Sequence, residues 1–471
     1  MKIKETKYTV RHLARIIIET ETPLALGSGE KDVITDALVA RDVNGLPYIP
    51  GTSIAGVLRS MIGEDAAKDF FGYQEIGKDK GHGSEIIFTD AKIVNDSNVV
   101  IDGLREDISN DHFLKHFINL PIRQHVRITD KGVADKTGKF DEQVVYKGTR
   151  FCFEIEIVAT DTDNDNLTTV LAQLQDQSFR IGGGTRSGFG AIKVVRVAQK
   201  TLDLKDNEQR QLYLDKSSNL ADPNKWWKES DYKSEEYKGG LNGFKKYELT
   251  LKPMDFFLFG SGMGDDDVDS TPVRENIVKW DGGQGHFTQQ TKQILIPATS
   301  VKGVISHRTA FYWNKIKDNF ADKISNPKDY TGSANPAVLA LFGGGEGEKQ
   351  GQNTVNQKRG NVLISDVFAE QNYEPKIFDH VAIDRFTGGA VDGALFNEKA
   401  DYAPKKEFTL TMLVKEEAIK ETEVRKAFEN ALKDICAGLL PLGGATAKGH
   451  GMFTGTLKID GTEINLDEIT I

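Results

Sequence analysis

The residues of this sequence best equipped for chemistry are a run of carboxylates in a turn, a glycine loop around an arginine, and a long stretch rich in Arg, Lys and His. Glu30 to Asp36 reads Glu-Lys-Asp-Val-Ile-Thr-Asp and then enters the apolar residues Ala37 to Ala40. A carboxylate in such a loop can take a proton from a hydroxyl, or hold a divalent ion that polarises a phosphate. Asp36 is the first candidate for this role, catalytic or metal-binding, and Asp32 is the reserve.

Gly182, Gly183, Gly184, Gly188 and Gly190 crowd one loop around Arg186. In regular structure each costs roughly 1 kcal/mol relative to Ala, so the loop needs backbone without side chains. Two readings fit: close approach of a phosphodiester with Arg186 supplying charge, or tight packing of the loop over its own sheet. A related loop, GGATAKGHG, carries Gly444 and Lys448 but lacks the spacing and final Ser or Thr of a P-loop. Arg123, His125, Arg127, Lys131, Lys136, Lys139, Lys147 and Arg150 make a long basic segment broken by Thr137-Gly138, which reads as a hairpin. Such a hairpin suits a polyanion, a neighbouring subunit or plain solvent better than a core. His125, His380 and His450 are alternative acid-base groups, the first two at matching positions before a strand.

These groups recur because the chain repeats itself. IPGTSIAGVL (Ile49 to Leu58) returns as IPATSVKGVI (Ile296 to Ile305), and EIIFTDAKI as NVLISDVFA. The basic segment from His125 returns from His380, and RIGGGTRSGFGAIKV returns as PLGGATAKGHGMFTG. Two copies predict two comparable sites. The second acidic loop is ambiguous: aligning Asp42 with Asp281 puts Glu275 opposite Asp36, whereas Asp269 is the more loop-like carboxylate.

Each copy predicts a strand, the acidic loop, short strands at Ala37 to Ala40 and Leu46 to Pro50, and a helix from Ile54 capped by Thr52 or Ser53. A strand, the hairpin, another strand, a helix (Asn166 to Gln177; Glu421 to Cys436) and the glycine loop follow. The fold class is α+β, close to a β-α-β-β-α-β unit with an inserted hairpin. The domains are expected at 1–199 and 245–471. The polar stretch 200–244 reads as a linker with Trp226-Trp227 as its docking point, and Phe342 to Gly360 as a mobile loop.

With 471 residues, 38% hydrophobic and 28% charged, the chain is long enough for more than one core. Its mean hydropathy of −0.41 and the lack of a long apolar run argue against a membrane span. Two cysteines make neither a disulfide framework nor a zinc site, and the opening MKIKETKYTV lacks the apolar core of a secretion signal; a cytoplasmic location is expected. A net charge of −10 excludes nucleic-acid binding through a broadly basic surface, so any such contact must be local.

Taken together, LPYIPGTSIAGVLR after an acidic loop, the HVRITDKGVADKTG and HVAIDRFTGGAVDGALF hairpins and the closing GGGTRSGFG resemble the RAMP superfamily of CRISPR-associated proteins. The set looks like the backbone subunit of type III effector complexes, present twice, as in the double backbone subunits of the III-D subtype. The resemblance implies two tandem modified RRM-like, ferredoxin-like domains, each with a hairpin thumb. It further implies a crRNA guide, a single-stranded target RNA and other type III CRISPR subunits as partners. Target cleavage would depend on a divalent metal (Mg or Mn) and one loop aspartate per unit, Asp36 in the first half and Asp269 or its rival Glu275 in the second. Products would carry a 2′,3′-cyclic phosphate and a 5′-hydroxyl. RNA contacts are expected from Ser53, Arg59, Arg123, His125, Arg127, Gly183, Arg186, Lys302, His380, Arg385, Gly444 and Lys448. Two alternatives are a non-catalytic RNA-binding scaffold and a metal-independent crRNA-processing nuclease using histidine.

Overall fold

The computed structural model describes residues 8–470 apart from 30–34, 76, 78–79, 130–131, 164, 223, 234–239, 289–292, 345–357, 371–374 and 404. The first half runs β1 (Val10–Thr20), α1 (Gly51–Ile62), β2 (Ile86–Phe88), the hairpin β3 (Ile122–Ile128) and β4 (Ala134–Gln143), β5 (Arg150–Ala159), α2 (Asn166–Leu174) and β6 (Ile192–Asp203). After α3 (Asn207–Leu214) the pattern returns as β7 (Phe244–Pro253), an added hairpin β8 (Val278–Asp281) and β9 (Gln284–Phe287), α4 (Ala298–Ile316) and β10 (Val362–Ile364). The hairpin β11 (Lys376–Ile383) and β12 (Ala390–Ala400), β13 (Phe408–Lys415), α5 (Thr422–Cys436) and β14 (Phe453–Ile459) complete it. The antiparallel sheet orders are β6-β1-β5-β2 and β14-β7-β13-β10, the order of a β-α-β-β-α-β unit in each half.

β1 is buried along nearly its whole length because both its faces are covered. Ala14, Ile16 and Ile18 enter the helix-side core, while Leu13 and Ile17 join small clusters on the other face. The cover on that second face comes from the stretch expected to be a linker. β6 runs on to Asp203, α3 follows, and Trp226 and Trp227 fold back, 6% and 7% exposed, over Leu13, Ala198 and Leu202. Trp227 Nε1 donates to Glu154 Oε1 at 2.7 Å, and Glu154 also pairs with Arg15 at 2.9 Å and Lys216 at 2.5 Å. The tryptophans are the docking point, but polar composition hid a folded segment that two indoles and the Lys216–Glu154 pair anchor. β7 in the second half alternates instead, with Tyr247, Leu249 and Leu251 in the core.

Three local expectations change. The short strands at Ala37 to Ala40 and Leu46 to Pro50 are single bridges, among them Val39 with Gly27 and Ile49 with Ala91. α1 starts at Gly51, so Thr52 and Ser53 lie inside its first turn, and no side chain of its own caps it. The cap comes from the strand side: Asp90 Oδ1 accepts from Gly51 N at 2.9 Å, and Asp366 Oδ1 accepts from Ala298 N at 2.8 Å in the second half. Thr137-Gly138 lies within β4, and the hairpins are closed instead by the backbone bonds from Thr129 to Val133 and from Asp384 to Gly389. Each hairpin slips register, between Val126 and Ile128 and between Val381 and Ile383, which moves the turn along the chain.

The added hairpin locks the halves together. Val278 N donates to Lys147 O, Gly285 N to Asp96 O and Trp280 Nε1 to Gly148 O, each at 2.8 Å. The Arg150 guanidinium lies 3.7 Å from the Trp280 ring centroid, and Phe287 packs against Phe113, Phe117 and Tyr146. Gly148 must be glycine here: its φ is +84°, and a Cβ would sit 1.9 Å from Val278 O. Val278 thereby becomes part of the first half's core.

Candidate nucleic-acid interface

Asp36 is exposed, and its Oδ2 accepts from the backbone N–H of Asp141, on β4 of the first thumb, at 3.1 Å. Asp269 is also exposed, and its Oδ2 accepts from the backbone N–H of Asn397, on β12 of the second thumb, at 3.0 Å. The residues around them agree. Ala37 O accepts from Gln143 N and Ser270 O from Lys399 N, both at 2.9 Å, and Ala37 and Ser270 bridge Glu142 and Glu398. Val39 pairs with Gly27 as Pro272 pairs with Gly260. Asp269 is therefore the structural counterpart of Asp36, and Glu275 is the counterpart of Asp42. The extra residues of the second half come after Glu275, as the hairpin β8-β9, so an alignment anchored on Asp281 is displaced. Asp32 lies outside the described residues, as does Lys131.

Each thumb also carries a histidine–glutamate pair beside its loop aspartate. His125 Nε2 meets Glu142 Oε1 at 2.9 Å with the ring stacked on Phe140, and His380 Nε2 meets Glu398 Oε1 at 3.0 Å with the ring stacked on Phe396. Glu142 and Glu398 escaped sequence reading because their meaning depends on cross-strand register. Lys448 reaches Glu398 at 3.4 Å and lies over Phe396, so the second glycine loop touches the thumb. Lys399 holds Asp265 at 2.6 Å and Asp267 at 3.1 Å, which drives the Asp265 carboxyl below its usual range. His450 is buried under Phe256 and Phe378, away from both loop aspartates in the chain's contacts, which removes it as an accessible acid or base.

The glycine loops have an internal reason for most of their glycines. Gly183 N donates to Ala25 O at 2.7 Å and Gly444 N to Leu258 O at 2.6 Å, seating both loops on the strand ends. A Cβ on Gly182 would lie 2.5 Å from Ala25 O, and one on Gly443 2.4 Å from Leu258 O. Packing over the sheet thus accounts for these positions. Gly183 has no such clash, and with Gly182, Ser53, Gly56 and Pro50 it lines an open cavity of about 410 Å³ beside the start of α1. Ser53 belongs to this groove rather than to a helix cap. Arg59 donates to Gly72 O at 2.8 Å and lines a further cavity of about 490 Å³ with Tyr73 and His82.

Positive charge gathers where the halves meet. Arg186 Nε donates to Gly360 O at 3.0 Å, and Arg359 reaches Thr185 Oγ1 at 3.4 Å. Among the described residues Arg180 donates to the Gln177 and Phe179 carbonyls, with the Glu21 and Asp176 carboxylates acting on it from nearby. Arg180, Arg186 and Arg359 line one cleft of about 530 Å³ drawn from both halves. Burial pushes Arg186 down to about 10, and Arg359 and Arg180 push the same way. Lys302 is lowered by burial and then by Arg186. Arg186 and Arg359, mutually repelling and bonded to neutral acceptors, are suited to an incoming anion. Arg180 and Arg359 were not foreseen, since Arg359 sits at the end of a stretch read as a mobile loop.

Two expected RNA or catalytic residues are committed elsewhere. Arg123 and Glu275, each about 4% exposed, form a buried ion pair between the halves, with Nη2 donating to Glu275 Oε2 at 2.9 Å and to Asp366 Oδ2 at 3.1 Å. Neither faces solvent, so Arg123 is a clamp rather than an RNA contact and Glu275 is no reserve catalyst. Arg127 and Arg385 are exposed on the thumbs, Arg385 in the turn held by Asp384. Among the described residues no three His, Cys, Asp or Glu side chains converge into a metal cage, and no helix is long and apolar enough to cross a membrane.

The model of the RAMP superfamily matches residues 17–193 and again 280–454, one match in each half. The chain belongs to the RAMP superfamily. Two tandem ferredoxin-like RAMP domains, each with its thumb hairpin, are what the fold displays, and the family makes a CRISPR-associated, RNA-binding role its coarse function. No curated protein matches the chain.

Proposed function

We propose that this RAMP protein is a guide-RNA-binding backbone subunit of a type III CRISPR effector complex, III-D-like, working in the cytoplasm, and that Asp36 and Asp269 cleave the target RNA. The observation that carries this reading is the recurrence of one arrangement: an exposed loop aspartate tied by one oxygen to the same thumb position in both halves. A purely packing role would not require an exposed carboxylate twice. The guide runs over the groove of Ser53 and Gly183 and the inter-half cations Arg186, Lys302 and Arg359, a local basic path on an acidic chain.

In this reading the thumb N–H fixes the carboxylate, which takes the proton of a ribose 2′-hydroxyl. The 2′-oxygen attacks the neighbouring phosphorus in line as the P–O5′ bond breaks, and the departing 5′-oxygen takes a proton from water, giving a 2′,3′-cyclic phosphate and a 5′-hydroxyl. A divalent ion, Mg or Mn, would be held by the loop carboxylate, Asp36 or Asp269, and would supply charge stabilisation at the phosphate. The test is to map cut positions on a target bound to guide-loaded complex. Asp36→Ala is expected to erase one cut, Asp269→Ala a different one, and the double variant or EDTA all of them. Cuts that persist at every position in the double variant refute the assignment.

A further inference from the structure

The face that the first half uses to seat the second is rebuilt at the far end of the chain with different chemistry. On the first half this face consists of Arg123, Tyr146 and the backbone of Lys147 and Gly148, which hold Glu275, Asp366 and the hairpin β8-β9. Pairing within the thumbs sets Phe378 opposite Glu398 as Arg123 is opposite Glu142, so Phe378 occupies the Arg123 position. The bridges Leu24–Val145 and Phe257–Asp401 make Tyr402 the counterpart of Tyr146 and Phe256 that of Pro23.

These three residues gather into one half-exposed aromatic patch. Phe256 lies 4.9 Å from both Phe378 and Tyr402, and Lys376 sits over the Phe256 and Phe378 rings. His450 lies beneath, 5.1 Å from Phe378, and its buried Nδ1 has no hydrogen-bond partner among the described residues. Tyr402 is 37% exposed and the neighbouring Ile377 46%.

The chain's own first half does not fit this patch. Where the second half carries β8-β9, the first half has only the tight turn Asp42 to Gly45, closed by Asp42 Oδ1. The positions of Glu275 and Asp366 are held there by Asp42 and Asp90, both already engaged, one in its own turn and the other in capping α1. We propose that the Phe256–Phe378–Tyr402 patch docks a different protein subunit, one that presents an apolar hairpin where β8-β9 sits, and not a second copy of this chain. Continuity with the inter-half contact fixes the occupant's position, and the aromatic character fixes its chemistry.

The experiment places a photo-crosslinking phenylalanine analogue at position 402 of the full chain in the assembled effector complex. The expected product joins it to a hairpin of another polypeptide of the complex, identified by mass spectrometry. A crosslink to a second copy, a crosslink to RNA, or none at all overturns the proposal. The purified chain is expected to sediment as a monomer across the micromolar range, and head-to-tail oligomers would likewise overturn it. Phe378→Arg is expected to weaken attachment of that neighbour roughly thirty-fold, the scale of a lost aromatic anchor, with the thermal melt unchanged. Target cutting at the Asp36 position reports separately on the proposed function.

Discussion

Replacing Arg123 with Met removes the cation that pairs with both carboxylates of a buried group, Glu275 and Asp366. Arg123 is 4% exposed, Glu275 4% and Asp366 7%, so water does not replace what is lost. Breaking a buried pair by deleting one partner costs about 3–5 kcal/mol, because the remaining charge is left uncompensated. The loss should fall on the contact between halves, so that urea unfolding, followed by Trp fluorescence, is expected to split or broaden relative to the wild type. The triple variant Arg123→Met, Glu275→Gln, Asp366→Asn is expected to recover to within about 1 kcal/mol, since uncharged, packed replacements of a buried ion group are often neutral. Burial already raises the Asp366 carboxyl despite Arg123, which pulls the other way, and without the arginine it rises further. An acid whose folded value is raised destabilises the fold above its unfolded value, and the penalty fades as pH falls through the folded value. The Arg123→Met deficit must therefore be larger at about pH 7 than at about pH 5. A deficit below about 1 kcal/mol at neutral pH, or one that grows on acidification, refutes the assignment of Arg123 as the clamp.

Three other outcomes are expected. Arg186→Ala and Arg359→Ala should each weaken RNA binding and flatten the plot of log affinity against log salt by about 0.7, one phosphate contact on a single strand apiece; filter binding at several salt concentrations reads this, and an unchanged slope removes them from the RNA path. Trp227→Ala should cost about 3–5 kcal/mol and open the segment around α3 to limited proteolysis, and a resistant segment would show that the indole does not anchor it. Loss of separate target cuts in Asp36→Ala and Asp269→Ala, mapped by sequencing gels, completes the set.

The repeat, the strand order and the first loop aspartate were legible because they are carried by local residue types at fixed spacing. The choice between Asp269 and Glu275 was not, since sequence offers two anchors, one before and one after the added hairpin, and only the cross-strand bonds to Gln143 and Lys399 say which is structural. Arg123 read as an RNA contact because a basic residue on a thumb carries no sign of partners 152 and 243 residues away. The segment 200–244 read as a linker because composition averages over it, whereas two tryptophans and the Glu154 network hold it down. The helix caps were missed for the same reason: Asp90 and Asp366 lie far along the chain from the N–H groups they accept.

The clamp and the second cutting loop are one piece of chain, which gives the two sites different dependencies. Asp269 sits between Asp265 and Asp267, held by Lys399, and Glu275, held by Arg123 across the junction. The Asp36 loop has Asp42 at the Glu275 position, and Asp42 is satisfied within its own turn by the N–H groups of Asn44 and Leu46. Releasing Arg123 thus frees one end of the Asp269 loop and leaves the Asp36 loop as it was. In guide-loaded complex, Arg123→Met is expected to slow the cut assigned to Asp269 by about tenfold or more, since misplacement of about 1 Å suffices for losses of that order, while the Asp36 cut keeps its rate. Equal slowing of both cuts would mean that the junction acts through RNA binding as a whole and not through the position of Asp269.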